Sequence, residues 1–175
     1  MKSLLFLLAC LFSLPAFGQT PAKDANAQTQ IEAVIEAFRT SIIDKDKPRF
    51  VALFLHDQVT WQSVKGDGLL QRVRQKRPDA AKVGINRQSN HLSFIDGIVG
   101  NKERVEEKFW NTRIDTDGDI ASVTFDYSFH SGNRKTNHGK EAWHLVNTGD
   151  GWKIVSVIWS VNVDPMPEAG KPTTG

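Results

Sequence analysis

The chain has 175 residues, 39% of them hydrophobic and 24% charged, with a net charge of +2 and a single cysteine. That length suits one domain, and the apolar content is too high for a disordered chain. Positive charges alternate with negative ones along most of the sequence, so no concentrated basic face is offered to nucleic acid and no nucleic-acid partner is expected.

The first eighteen residues stand apart. Lys2 precedes an apolar run from Leu4 to Leu14, which is too short to span a bilayer. Pro15 breaks the run, and Ala16-Phe17-Gly18 supplies the small residues of a peptidase site. Residues 1–18 are therefore read as a cleaved signal peptide, and the protein as periplasmic or secreted with no membrane span after cleavage. Leu7-Leu8-Ala9-Cys10 loosely resembles a lipobox, but Leu8 is bulky for its position and apolar sequence continues past Cys10. Cleavage removes Lys2 and Cys10, leaving 21 basic against 20 acidic residues and no cysteine. Disulfides, thiol nucleophiles and cysteine-ligated metals are then excluded.

Residues 19–28 read as a polar tether. Ile31, Val34, Ile35, Phe38, Ile42 and Ile43 recur at helical steps and predict a helix over about 29–45. Asp46 can cap a second short helix with Pro48 in its first turn, its buried side being Phe50, Val51, Phe54 and Leu55, ending near His56-Asp57. Residues 58–65 alternate like a strand up to Gly66-Asp67-Gly68. The stretch 69–88 is basic, with Arg72, Arg74, Lys76, Arg77, Lys82 and Arg87, and reads as a broken helix followed by an exposed loop. Asn90-His91 opens a short helix with Leu92, Ile95 and Val99 on one side and Gly100 at its end.

Four strands follow, over 106–115, 120–130, 137–147 and 152–163, joined by an acidic turn at 115–119, Ser131-Gly132-Asn133 and Thr148-Gly149-Asp150-Gly151. Tight turns pair consecutive strands antiparallel, so these form a meander and the chain an α+β domain, with a flexible tail over 164–175. In the last strand Trp152, Ile154 and Ile158 oppose Val155, Val157 and Trp159. An apolar character on both faces predicts a cover for the outer face, and a homodimer through that face is the simplest one.

Asp115-Thr116-Asp117-Gly118-Asp119 opens like a calcium loop but has no glutamate at the twelfth position, and a hairpin turn is the better reading. His56, His91, His130, His138 and His144 show no zincin spacing, and neither a metal site nor a cofactor is expected. No nucleophile elbow is present.

The succession of helices, strand, helix and meander resembles the nuclear transport factor 2-like superfamily, most nearly its SnoaL-like bacterial branch. The resemblance rests on Ile31-Glu32-Ala33-Val34-Ile35-Glu36-Ala37-Phe38, on residues 54–61 leading into the first strand, on Asp117-Gly118-Asp119-Ile120-Ala121, on Gly139-Lys140-Glu141-Ala142-Trp143 and on Asp150-Gly151-Trp152-Lys153-Ile154. It covers nearly all of residues 29–162, within a domain read as 29–163, and implies a cone-shaped fold, in which a curved antiparallel sheet packs against about three N-terminal helices around a pocket. The superfamily includes isomerases, cyclases, dehydratases and binding modules without chemistry, so function has to come from the site.

Carboxylates in an apolar pocket acquire raised pKa values and act as acids or bases, which singles out Asp126, Glu141 and Asp57. Tyr127 is the chain's one phenol, and strand alternation sets it on the face opposite Asp126. The expected ligand-binding set is Trp61, Asp126, Tyr127, Glu141, Trp143 and His144, for a small apolar ligand or, guided by the basic 72–87 segment, an anionic one. Three functions fit this set: a small-molecule-binding module, an isomerase, cyclase or dehydratase using a pocket carboxylate or histidine, and an envelope protein-interaction module. A buried carboxylate of raised pKa facing a second polar group favours the enzyme; a cone filled by its own aromatic rings favours the interaction module.

Overall fold

The computed structural model describes residues 22–164, with side chains from residue 26 onward. The expected signal peptide, the start of the tether and the tail from residue 165 lie outside the described residues.

The first helix, α1 (Ala22–Asp44), begins well before the expected start near Thr29. Ala and Gln are strong helix formers, and Ala27 is buried, so the apolar stripe of Ile31, Ile35, Phe38 and Ile42 starts one turn earlier. Lys45, at φ 56°, ends the helix in the left-handed region, and the Asp46 N–H closes on the Ser41 carbonyl at 2.9 Å. Asp46 then caps α2 (Lys47–Val51), accepting from the Arg49 N–H at 3.0 Å. This helix stops earlier than its apolar residues suggest. Phe54 leaves it to form a parallel bridge with Ile154, and Leu55, expected on the buried side, is 44% exposed.

Strand β1 (Thr60–Lys65) and helix α3 (Asp67–Arg74) follow, then an exposed loop and α4 (His91–Gly100). Asn90 and Ser93 form a reciprocal capping box at its start, and the buried residues are His91, Ile95 and Ile98, with Val99 facing outward. His91 stacks on Phe54 with ring centroids 4.2 Å apart, and neither of its ring nitrogens has a hydrogen-bond partner among the described residues. Burial holds this imidazole below the ordinary histidine pKa. The folded chain thus binds fewer protons here than the unfolded one, so stability falls as pH drops through the histidine range. His91→Phe keeps the stacking ring and removes the orphaned nitrogens. It is expected to raise stability by about 1 kcal/mol at pH 7 and by more at pH 5, measured by urea unfolding at both values.

The sheet holds β2 (Val105–Thr116), β3 (Ile120–Ser131), β4 (Arg134–Asn147) and β5 (Trp152–Val161) in the order β1-β5-β4-β3-β2. The meander is antiparallel as expected, while β1 adds to β5 in parallel. Register shifts in the β2–β3, β3–β4 and β4–β5 pairs bend the sheet around the helices. The acidic turn is the expected hairpin: the Asp117 carboxylate accepts from the N–H groups of Asp119 and Ile120.

One bulge corrects the reading of the last strand. Leu145 pairs with Ile154 but His144 with Ser156, so Val155 is an extra residue and the alternation reverses there. Trp152, Ile154 and Val157 are buried on the inner face, with Trp159 following at the cavity, and Ile158 faces outward, 43% exposed. The strand therefore carries one apolar inner face that changes parity, not two continuous apolar faces. At the centre of the core Phe38 packs on Phe50 and Trp143, with centroids 4.8 and 4.7 Å apart.

Candidate functional site

Beside this aromatic centre the sheet and helices leave a cavity of about 120 Å³. Its wall is drawn from every layer of the fold: Phe38 of α1, Trp61 of β1, Phe94 of α4, Glu107 of β2, Tyr127 and Phe129 of β3, Asn137 and Glu141 of β4, and Trp159 of β5. Strand register explains the convergence. Glu107 lies opposite Phe129, Phe129 opposite Asn137, Tyr127 opposite Gly139, and Glu141 opposite Trp159. Directly opposed residues share a face, so Glu107 and Glu141 flank Tyr127 diagonally from either side.

The two glutamates are 5% and 4% exposed. Burial pushes the Glu141 carboxyl up to about 7, against the opposing effect of a 2.7 Å hydrogen bond donated by the Trp143 indole N–H. Glu107 is raised well above the ordinary carboxylate range, by burial first and by the neighbouring Glu141 charge second. Among the described residues no N–H or O–H donates to the Glu107 carboxyl. The pair therefore retains protons into the neutral range and titrates as a unit. Tyr127 Oη lies 2.9 Å from Asn137 Oδ1 and 3.0 Å from the Ser160 carbonyl, and its one proton is donated to these acceptors. Burial and both carboxyls hold the phenol above its ordinary pKa, so it stays neutral.

No protein-family model matches the sequence, and neither does any curated protein. Solved structures match over most of both chains. A candidate scytalone dehydratase from Novosphingobium aromaticivorans is 14% identical, with a TM-score of 0.59 over 89% of this chain and 99% of that one. A protein of the nuclear transport factor 2-like superfamily from Salmonella enterica serovar Typhimurium is 16% identical, with a TM-score of 0.57 over 85% and 99%. A candidate dehydratase of the same family from Streptomyces avermitilis is 17% identical, with a TM-score of 0.57 over 80% and 99%. The fold is that of the nuclear transport factor 2-like proteins.

Within the nuclear transport factor 2-like cone, Trp61, Tyr127 and Glu141 line the cavity as the sequence suggests, and Trp143 lies fully buried beneath it, touching the site through Glu141. Asp126 and His144 do not reach it. Each alternates with inward residues, Asp126 between Phe125 and Tyr127 and His144 between Trp143 and Leu145, and so faces the outer side of the sheet. There Asp126 accepts from Lys140 Nζ and Asn111 Nδ2, both at 2.7 Å, which hold its carboxyl below the ordinary range. None of the basic residues between Arg72 and Arg87 lines the cavity. Glu107, Asn137, Phe94 and Phe129 are additions that sequence reasoning missed. The alternation of Val105, Glu107 and Phe109 was the available signal, since it sets one acid among inward apolar positions.

Trp143→Phe removes the indole N–H that donates to the Glu141 carboxyl while keeping an aromatic ring. Without that donor the carboxyl is expected to titrate above about 7. Carboxyl ¹³C NMR across pH 5–9 checks it, and an unmoved titration contradicts the role given to the indole.

Proposed function

We propose that the protein binds a small, partly apolar molecule inside the nuclear transport factor 2-like cone. The observation that carries this reading is the pair of buried glutamates on the cavity wall. Packing needs no carboxyl there, and burying one without a cation beside it is costly. Groups retained against stability in an open cavity mark functional sites. Trp61, Phe94, Phe129 and Trp159 supply apolar contact, and the carboxyls fix the polar end. The cavity also argues against a cone filled by its own rings, the feature expected of a pure interaction module. Native and then denaturing mass spectrometry of the protein from its own cell is expected to show a stoichiometric small molecule that Trp159→Ala loses. A clean unliganded protein that also takes up no fragment from a small-molecule library would overturn the reading.

A second reading, acid–base catalysis of the isomerase or dehydratase kind, has one specific observation in its favour. Glu141 is poised near pH 7 beside Glu107, whose carboxyl is also raised by burial and by the Glu141 charge, so the coupled pair can accept a proton at one carboxyl and donate from the other. Solvent deuterium should then enter the bound molecule, and Glu141→Gln should stop it. A bound molecule that exchanges nothing excludes this reading.

We further propose export, with the mature chain beginning at Gln19, and a homodimer through the outer sheet face, where Trp110 and Ile158 are 45% and 43% exposed. Intact mass of the exported protein tests the first. A monomer in sedimentation at micromolar concentration would sink the second.

A further inference from the structure

The ligand class of the cone can be narrowed, on the reading that it is a small-molecule site. We propose that the cavity takes a small protonated amine, with its ammonium group against the Glu107 and Glu141 carboxyls and its alkyl part among the aromatic rings.

Around the two carboxyls, α1 contributes Phe38, α4 Phe94, β1 Trp61, β5 Trp159 and β3 the neutral Tyr127. Among the described residues no lysine, arginine or histidine lines the cavity. The Tyr127 proton is taken up by Asn137 and Ser160, so the two carboxyls are the groups left to meet a charge on a ligand. Glu107 is a second and independent pointer, because its carboxyl is 5% exposed, lines the cavity and receives no hydrogen bond from a described residue. An ammonium group supplies both missing elements, the N–H donors and the positive charge.

The rings fit the same ligand. Trp61 lies edge-on to Trp159 at 5.0 Å and tilted to Phe94 at 5.3 Å, and Phe94 meets Phe129 at 6.0 Å. Such mutually inclined rings form the sides of a box, and their faces attract a cation. An anion would meet two carboxyls and no counter-charge. A neutral alcohol would leave the carboxyl pair protonated and gain nothing from its charge.

Because a cation favours the ionised pair, binding releases a proton, and affinity rises with pH. Among the described residues, the titratable groups that share the cavity wall with Glu141 are Glu107 and Tyr127. With Glu141 near 7, affinity for an amine that stays protonated is expected to rise about tenfold from pH 6 to pH 8.

The test uses isopropylammonium chloride and isopropanol, titrated into the protein while the indole resonances of Trp61 and Trp159 are followed by NMR. At pH 8 the ammonium is expected to bind at least tenfold more tightly than the alcohol. Glu107→Gln and Glu141→Gln should each erase that advantage, and a native far-ultraviolet circular dichroism spectrum and cooperative thermal melt show that the variants are folded. Equal or tighter binding of the alcohol to the wild type overturns the amine proposal and leaves the small-molecule site standing. Shifts from neither probe overturn both. Should the variants misfold, the wild type alone decides, since ammonium affinity that is flat from pH 6 to pH 8 contradicts the proposal.

Discussion

Glu141→Gln is expected to stabilise the protein at pH 8 by about 3 kcal/mol, against the usual direction for a change to a buried polar residue. The carboxyl is raised from an ordinary 4.5 to about 7 in the folded chain. Between those values the folded chain holds a proton that the unfolded chain has lost. Its contribution to stability is thus full below about pH 4.5 and drains away as pH climbs through 7, at about 1.4 kcal/mol per unit. Glutamine has no proton to lose, and its side-chain oxygen still accepts from the Trp143 indole. For a domain of this size the gain corresponds to a melting temperature roughly 10 °C higher at pH 8. Thermal melts from pH 5 to pH 8 should fall for the wild type and stay flatter for the variant, while parallel curves would show that Glu141 ionises freely. His91 acts in the opposite sense, losing stability toward acid, so the wild-type curve is expected to peak between the two transitions.

Gly139→Ala should be the most damaging single-methyl change in the sheet. A Cβ there would lie 2.0 Å from the Ser160 carbonyl oxygen, which is backbone, so no rotamer relieves the clash. Strands β4 and β5 would have to part at the point where Lys140 N–H meets Ser160 Oγ and Tyr127 Oη meets the Ser160 carbonyl, each at 3.0 Å. A loss of about 3 kcal/mol is expected, at the upper end of overpacking effects. Gly97→Ala is the control. It lies inside α4 with nothing within 4 Å of the new methyl, and should gain up to about 1 kcal/mol from helix propensity. Urea unfolding separates the two. Similar behaviour of both variants would mean that β4 and β5 do not approach closely at Gly139.

Much of this architecture could be read from residue order because local signals agreed with tertiary ones. Ile31, Ile35, Phe38 and Ile42 are periodic and also buried, and Val123, Phe125 and Tyr127 alternate and all face the core. Legibility failed where a single residue changed the count. The bulge at Val155 reverses the inside and outside of β5, and no turn residue announces it. The parallel pairing of β1 with β5 was equally hidden, since alternation identifies a strand and not its neighbour. At the site, alternation correctly separated Tyr127 from Asp126. The carboxyls that do flank the phenol come from the adjacent strands, and only register places Glu107 and Glu141 there. Asp126 and His144 were attractive by residue type alone; a lysine and an asparagine on the outer face already satisfy Asp126.

The cone functions as a small-molecule site only if its two glutamates are held there against their ordinary chemistry. The most direct measurement is a carboxyl ¹³C NMR titration of protein labelled at glutamate, with Glu107→Gln and Glu141→Gln assigning the two signals. The account predicts two resonances that titrate above the ordinary carboxylate range, Glu141 near 7 and Glu107 likewise raised, each changing when the other is replaced. Two independent titrations near 4.5 would show that the carboxyls are solvated, and would contradict both the buried pair and the function built on it.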